Sequence, residues 1–208
     1  MKRILTALVV LTYIVTSCAS NAPYVSADVQ SAISRHQKIA VLPFEVSFNE
    51  EYKQNRRGRT GAEYWREQER LAGLDMQKEC FISVAKQVEK GKFEKVVQDF
   101  LTTNRLLESS GVKIYDIPKL DKGDLCRVLN VDAVVWGETS IVVNPPFGFS
   151  ALPGGATTYG NLYDGRTGEL LWQKKLSQNP TSRMDTPQRL GAETARQLAK
   201  ILPYNGRR

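Results

Sequence analysis

A near-continuous run of apolar residues is the strongest constraint on how this chain folds. It extends over Lys38-Ile39-Ala40-Val41-Leu42-Pro43-Phe44. Successive side chains of a strand point to opposite faces, so an unbroken apolar run predicts a strand that is buried on both faces. A second run, Val131 to Val143, is the strongest strand prediction in the chain. Together the two runs predict a central sheet with helices packed on it.

The segments around these runs carry helix signals. Glu63 to Lys90 has apolar residues at three- and four-residue spacings, which form one stripe along a helix. Shorter helices are predicted from Thr102 to Leu107 and from Lys122 to Asn130. Asn130 suits the left-handed position that often follows a helix. Thr186-Pro187 opens a final helix, because threonine caps helices and proline favours the first turn.

A hairpin completes the pattern. Thr157 to Tyr163 and Glu169 to Lys175 flank the glycine-rich turn Asp164-Gly165-Arg166-Thr167-Gly168. Phe93 to Val97 is predicted as a further strand, although the same residues could continue a helix. We therefore predict an α/β (α+β) fold in a single domain, residues 38–203. It would have a mixed central sheet of about five strands, helices packed on that sheet, and a C-terminal helix.

The first eighteen residues read as a targeting segment. Met1-Lys2-Arg3 is basic, and the apolar run from Ile4 to Val15 is too short to span a bilayer comfortably. This is the layout of a secretory signal peptide. Val15-Thr16-Ser17-Cys18 resembles the bacterial lipobox, in which small residues precede an invariant cysteine. An ordinary signal peptide and an N-terminal transmembrane helix are the alternatives.

The lipobox resemblance implies cleavage before Cys18 and acylation of its thiol, for example with palmitate. Residues 1–17 would be the signal peptide, and residues 18–37 a lipidated tether of polar and small residues. Ala19 favours the outer membrane, with the domain in the periplasm. Removal of Lys2 and Arg3 lowers the formal net charge from +7 to +5. That modest excess suits anionic headgroups or glycans and gives no reason to expect nucleic acid as a partner.

No catalytic, metal or cofactor pattern stands out. His36 is the one histidine of the sequence and falls in the predicted tether, without the nucleophile and carboxylate that a catalytic histidine needs. Asp132 and Glu138 flank one strand roughly 20 Å apart, too far for a glycosidase pair. Gly154-Gly155 is not followed by Gly-Lys-Ser/Thr, and its segment contains no lysine, so it does not make a phosphate loop. We expect no enzyme, no metal and no cofactor.

Two cysteines remain after acylation, Cys80 and Cys126. An oxidising compartment permits a disulfide between them, which would stabilise the fold by roughly 4 kcal/mol in the chain-entropy model. Both also fall beside apolar stripes of predicted helices, where buried free thiols are common. The sequence leaves both alternatives open.

Two segments are candidates for binding a partner. Residues 47–61 contain Arg56, Arg57 and Arg59 and form either a solvated charged loop or a contact for a protein or an anionic envelope component. Residues 144–160 are rich in proline and glycine and carry large side chains, among them Phe147, Phe149 and Tyr159. They form either a flexible loop or a recognition loop.

Three stretches carry a family resemblance. They are the opening strand Ile39 to Phe44, the block Leu129 to Glu138 and the hairpin Leu162 to Trp172. Together they resemble the amino-terminal domain of TolB-like proteins, the curli-secretion-channel lipoproteins and the lipoprotein activators of penicillin-binding proteins. The resemblance spans residues 38 to 202 and rests on core and turn positions, so it bears on fold more than on activity.

The predicted anchor, together with a complete fold pattern and no catalytic constellation, predicts a non-enzymatic accessory lipoprotein of the cell envelope that binds another envelope protein. The alternative is a subunit of an oligomeric outer-membrane export channel of the curli-secretion type. Membrane-inserted hairpins would need strands of alternating polarity, but the first loop is highly charged and Pro145, Pro146 and Pro153 oppose strand formation in the second. The partner and the oligomeric state stay open.

Overall fold

The computed structural model describes residues 22–55, 61–143, 154–181 and 185–204. In chain order the strands are β1 (Tyr24–Val25), β2 (Lys38–Val41), β3 (Glu45–Phe48), β4 (Val96–Val97), β5 (Ala133–Val142), β6 (Gly155–Asp164) and β7 (Leu170–Gln178). The helices are α1 (Val29–Arg35), α2 (Glu50–Asn55), α3 (Ala62–Glu89), α4 (Phe100–Ser109), a 3-10 helix (Ile114–Lys119), α5 (Lys122–Leu129) and α6 (Pro187–Ile201).

The predicted α/β fold with a mixed sheet and a C-terminal helix is confirmed, but the sheet is larger than the five strands expected. Within the described ranges it has seven, in the order β1-β7-β6-β5-β2-β4, with β3 also pairing with β5. The two strands that the sequence analysis missed are short. β1 lies in the predicted tether, and β3 covers the start of the predicted charged loop.

The first apolar run forms two strands. Ile39–Val41 of β2 pair with Ala133–Val135, and β3 then continues along the same side of β5, Glu45 opposite Glu138. Between them Leu42 still donates its N–H to the Val135 carbonyl. Pro43 has no N–H to offer the ladder, so the pairing is interrupted there. Both strands run parallel to β5, whereas β6 and β7 are antiparallel neighbours.

Helices cover both faces of the sheet at β2, as the apolar run predicts. Ile39 and Val41 belong to one buried cluster, together with residues of α1, α3 and α6. Ala40 and Leu42 belong to a second cluster, with residues of α4, the 3-10 helix and α5. We call the side of the sheet that carries the first cluster the α3 face, and the side that carries the second cluster the α5 face. The alternation of neighbours along β2 places the two clusters on opposite sides of the sheet.

Part of the α5 face is open to solvent. Its helices cover the half around Val134 and Trp136, whereas side chains farther along the same strands are exposed. The exposed set on β3, β5, β6 and β7 comprises Glu45, Ser47, Glu138, Ser140, Val142, Tyr159, Lys175 and Ser177. We call this region the open half-face. It ends near the carboxyl ends of β3 and β5.

The folded domain starts earlier than the sequence analysis placed it. Tyr24 and Val25 pair with Gln173 and Trp172 of β7. Helix α1 then buries Val29, Ala32 and Ile33 against the α3 face. These three positions have helical spacing, so the signal was present in a segment that its polar composition marked as a tether. The link between Cys18 and the domain is correspondingly short.

Several helix boundaries follow from the predicted local signals. Asn130 has a left-handed φ of 52° directly after α5. Thr186 caps α6 by accepting from the Arg189 N–H, with Pro187 in the first turn. For α4 the cap is Asp99, which accepts from Thr102 N–H, so this helix begins earlier than Thr102. No helix of the described ranges is both long and apolar enough to cross a bilayer.

Helix α3 crosses the outer edge of β3 at very close range. The Phe44 N–H donates to the Gly73 carbonyl at 3.2 Å, and the Phe48 N–H donates to Glu69 at 3.0 Å. A β-carbon on Gly73 would collide with the Phe44 carbonyl oxygen. Glycine at this position therefore lets a helix close a strand edge that would otherwise be free to pair with another chain.

We predict that Gly73→Ala lowers the free energy of unfolding by about 1–3 kcal/mol, because the helix must shift away from β3. Urea denaturation monitored by circular dichroism measures the change. Asp75→Ala is the control, since Asp75 is exposed on the same helix. Equal stability of the two variants would contradict the close approach.

Candidate interaction surface

The two segments predicted to bind a partner meet at one end of the sheet. β3 and β5 run parallel and finish side by side, and β6 begins beside the end of β5. Asn49 joins them, because its side chain donates to the Val143 carbonyl at 3.3 Å and accepts from the Val143 N–H at 2.9 Å. We call this the loop end. The opposite end, which contains the turn after Asp164, is the turn end.

An aromatic cluster forms the base of the loop end. Phe48 at the end of β3 contacts Tyr52 and Trp65, with ring centroids 5.8 and 6.0 Å apart. Tyr52 and Trp65 lie 5.4 Å apart, and Tyr64 stands edge-on to Trp65 at 5.3 Å. Phe48 and Trp65 are buried, whereas Tyr64 is 41% exposed. The cluster fixes α2 and the start of α3 over β3 and leaves one aromatic ring available to a partner.

Charged side chains line the gap between α2 and α3. Lys53 lies 2.8 Å from Glu69 and 3.1 Å from Glu50. Burial alone would lower the pKa of Lys53, but the hydrogen bonds to Glu69 and Glu50 outweigh it and raise the pKa. A cavity of about 450 Å³ opens here, lined in part by Lys53, Trp65, Arg66 and Glu69. Its walls combine one aromatic surface with charges of both signs, which suits a polar protein contact.

Arg56, Arg57, Arg59, Phe147 and Phe149 lie outside the described residues, as does the lipidation candidate Cys18.

Tyr159 is the one predicted contact residue that the structure places. It lies in the middle of β6 rather than in a loop, 40% exposed on the open half-face. Its neighbour across the strands is Lys175, whose ammonium lies 5.7 Å from the Tyr159 ring centroid.

The carboxylates considered for hydrolysis lie apart and have different neighbours. Asp132 accepts from the backbone N–H groups of Gln37 and Lys38, each at 2.8 Å, and so holds the start of β2. Glu138 instead faces Glu45 on the open half-face. Burial and then repulsion by Glu138 raise the pKa of Glu45. This pair was missed because β3 itself was missed. Within the described part of the chain, no three candidate ligands cluster in a way that could hold a metal ion.

His36 has partners that the sequence analysis did not find. Its Nε2 lies 2.9 Å from Asp164 Oδ1, and its Nδ1 lies 2.7 Å from the Tyr204 hydroxyl. All three side chains are buried at the turn end. An ionised carboxylate can only accept, so Nε2–H donates to Asp164, and the Tyr204 hydroxyl is the hydrogen-bond partner of Nδ1. Both ring nitrogens are occupied, so the histidine joins the N-terminal segment, the hairpin turn and the C-terminal segment.

Asp164 is the charged member of this network. Burial alone would raise the pKa of its carboxyl group, but hydrogen bonds from His36 and Thr167 outweigh it and hold the pKa below its ordinary value. Thr167 contributes both its N–H and its hydroxyl, each at 3.2 Å. Burial, with nearby negative charge, also raises the pKa of Tyr204 well above its ordinary value, so its hydroxyl stays protonated as a donor.

The disulfide considered between Cys80 and Cys126 is not formed. Both are buried free thiols. Cys80 lies in the cluster of the α3 face and Cys126 in that of the α5 face, so the sheet separates them. A disulfide needs α-carbons within about 7 Å. Burial raises the pKa of each thiol to about 12, which keeps both protonated at neutral pH.

We predict that Asp164→Asn makes the folded domain less sensitive to acid. A carboxyl with a lowered folded-state pKa stabilises the fold at pH values above its ordinary pKa, and this stabilisation is lost as pH falls through the folded-state value. The free energy of unfolding of the unmodified protein should therefore fall more steeply below about pH 4 than that of the variant. Urea denaturation at a series of pH values measures both slopes.

Asp75→Asn, a change at an exposed helical position, should keep the steep slope. Identical slopes for Asp164→Asn and the unmodified protein would show that the His36 network does not hold the carboxylate ionised.

No protein-family model and no curated protein matches the sequence. Solved structures do. Lipoprotein GNA1162 from Neisseria meningitidis is 15% identical over 79% of this chain and 98% of that chain, with a TM-score of 0.45. The PelC dodecamer from Paraburkholderia phytofirmans is 13% identical over 90% and 97%, with a TM-score of 0.44. The LpoB C-terminal domain from Salmonella enterica is 12% identical over 73% and 96%, with a TM-score of 0.35. All three are distant likenesses.

Proposed function

We propose that this chain is a lipoprotein of the bacterial cell envelope, anchored through an acylated Cys18, whose domain binds another envelope protein. The observation that carries the proposal is the lipobox-like sequence Val15-Thr16-Ser17-Cys18 placed directly ahead of a folded α/β domain. Acylation gives stable membrane association, since each buried methylene contributes about 0.8 kcal/mol. The domain is then free to use its own surface for binding. We place it on the periplasmic side of the outer membrane.

The loop end is the surface proposed for the partner. It brings together the described ends of the two segments predicted to bind a partner, and Asn49 ties the end of β3 to the end of β5 through Val143. The exposed Tyr64 stands on a rigid aromatic base, an arrangement common among residues that dominate protein interfaces. Lys53, Glu50 and Glu69 place charges of both signs between α2 and α3, and such charges can set the orientation of a partner.

We propose an adaptor rather than an enzyme. His36 is buried with both ring nitrogens engaged, so neither nitrogen is available to a substrate proton. Glu45 and Glu138 are exposed neighbours on an open sheet surface, which does not exclude water from a reacting bond. These features support a binding role.

We predict that Cys18→Ala abolishes acylation and also the cleavage before residue 18, so the variant lacks acyl mass and keeps residues 1–17. Cells expressing either form are fractionated, and the intact mass of the purified protein is measured. The unmodified protein should start at Cys18, carry the mass of its acyl chains and sediment with membranes. Ser17→Ala is the control, because alanine keeps a small residue before the cysteine. Unmodified protein that sediments with membranes, retains residues 1–17 and carries no acyl mass would instead indicate a transmembrane helix.

We predict that a photo-crosslinking amino acid at Tyr64 captures one envelope protein in living cells. The same amino acid at Leu101 is the control, because Leu101 is 66% exposed but lies on α4, away from the loop end. An adduct from Leu101 and none from Tyr64 would contradict the loop end as the binding surface. Adducts composed only of further copies of this chain, in a large closed assembly, would favour the export-channel alternative.

A further inference from the structure

We propose that the β1 edge of the sheet rests on the headgroups of the membrane that holds the acylated Cys18, with Tyr24, Lys175 and Tyr159 making the contact. This inference rests on the proposed function, because it needs the anchor at Cys18. It adds an orientation to that function. The domain would lie against the bilayer on one defined edge instead of moving freely on a long tether.

The first argument is the length of the link. The sequence analysis assigned residues 18–37 to a tether, but the fold begins at Tyr24. Six peptide units separate Cys18 from Tyr24, and a fully extended chain of that length reaches about 20 Å. That is less than the length of the ten-residue strand β6, roughly 33 Å. The β1 edge therefore cannot move far from the bilayer.

The second argument is the character of this edge. β1 ends the strand order, with no strand outside it in the described part of the sheet. Tyr24 and Val25 are 53% and 48% exposed, so the strand nearest the anchor presents apolar surface on both sides of the sheet. Pro23, directly before it, lacks the N–H that would invite another strand. An edge of this kind is poorly suited to pairing with another strand and well suited to contact with an amphipathic surface.

The third argument is the strip that continues from Tyr24 across the open half-face. Tyr24 pairs with Gln173, and Lys175 lies two residues farther along β7 on the same side. Lys175 pairs in turn with Tyr159. Tyr24, Lys175 and Tyr159 thus form a diagonal across three neighbouring strands, with all three side chains exposed. We call this diagonal the aromatic–lysine strip.

The chemistry of the strip matches a lipid headgroup layer. Tyrosine is enriched at membrane–water interfaces because its ring is apolar and its hydroxyl is polar. A lysine near an anionic bilayer surface contributes about 1 kcal/mol of attraction. The ammonium of Lys175 lies beside the Tyr159 ring at 5.7 Å, so charge and ring reach the surface together. The strip therefore suits a surface in which anionic phosphates lie beside an apolar layer.

The test uses the acylated mature protein in vesicles of phosphatidylethanolamine and phosphatidylglycerol, in a ratio of about three to one to supply anionic headgroups. Ser177→Cys reports on the strip, since Ser177 is exposed on the same face of β7. Val96→Cys is the matched control, because Val96 is 62% exposed on β4, at the opposite end of the strand order. A bulky hydrophilic maleimide labels each cysteine, while the buried Cys80 and Cys126 give a low background.

The rate of maleimide labelling of each reporter is measured in two forms of the protein. One has the native link, and the other has about twelve glycine and serine residues inserted after Ser20, an insertion that frees the domain from the surface. We expect the native link to slow labelling of Ser177→Cys by about fivefold relative to the lengthened link. Val96→Cys should label equally fast with either link. In the protein with the native link, the additional substitution Lys175→Glu should restore fast labelling of Ser177→Cys.

Equal labelling of Ser177→Cys with both links, in protein whose acyl mass is confirmed, overturns this inference and leaves the proposed function standing. Protection seen in native membranes but absent from the protein-free vesicles also overturns it, because another protein would then cover the strip. A purified protein without acyl mass on Cys18 overturns the proposed anchor, and the inference with it.

Discussion

The fold depends on the pairing of β5 on both of its sides. Its ten residues pair with β6 along the whole length, and on the other side first with β2 and then with β3. Because Pro43 breaks the neighbouring strand in two, the chain can follow β5 for its full length while passing beneath α3 at Gly73. Burial on both faces near Val134 and exposure near Ser140 follow from where the helices stop. One strand thus supports both the core and the open half-face.

The two ends of the sheet have different roles. At the turn end, His36, Asp164 and Tyr204 form a closed, buried network that joins three distant parts of the sequence. Such a network is costly unless every group is paired, and here it contributes rigidity rather than a reactive group. At the loop end an aromatic cluster holds α2 and the start of α3 over β3. The turn end is thus a fixed part of the fold, and the loop end is where we propose that a partner binds.

The features that the sequence predicted correctly are those that depend on short-range signals. The hairpin around Asp164–Gly168, the left-handed Asn130 and the capped start of α6 each depend on a few neighbouring residues, and each is present. The His36 network could not be predicted, because its partners lie 128 and 168 residues away. β1 and β3 were missed because each is a short strand in or beside a segment whose polar or charged composition predicted a tether or a loop.

The site was predicted in part. Composition identified the two unusual segments, but only the pairing of β3, β5 and β6 brings them together at one end. Tyr159 was named with the loop 144–160, but it also falls in the predicted strand Thr157 to Tyr163, and that strand is confirmed because β6 begins at Gly155. The cysteines show the same limit, since loop length allowed a disulfide that the intervening sheet forbids.

The central claim is that the loop end of a membrane-anchored domain binds a protein of the envelope. Hydrogen–deuterium exchange tests it most directly, with the protein compared in its native membrane and after purification in detergent. The account predicts additional protection in the native membrane at the backbone amides of α2 and of the first turns of α3, and none at those of α4. Unchanged exchange at α2 and α3, or added protection confined to α4, would contradict it.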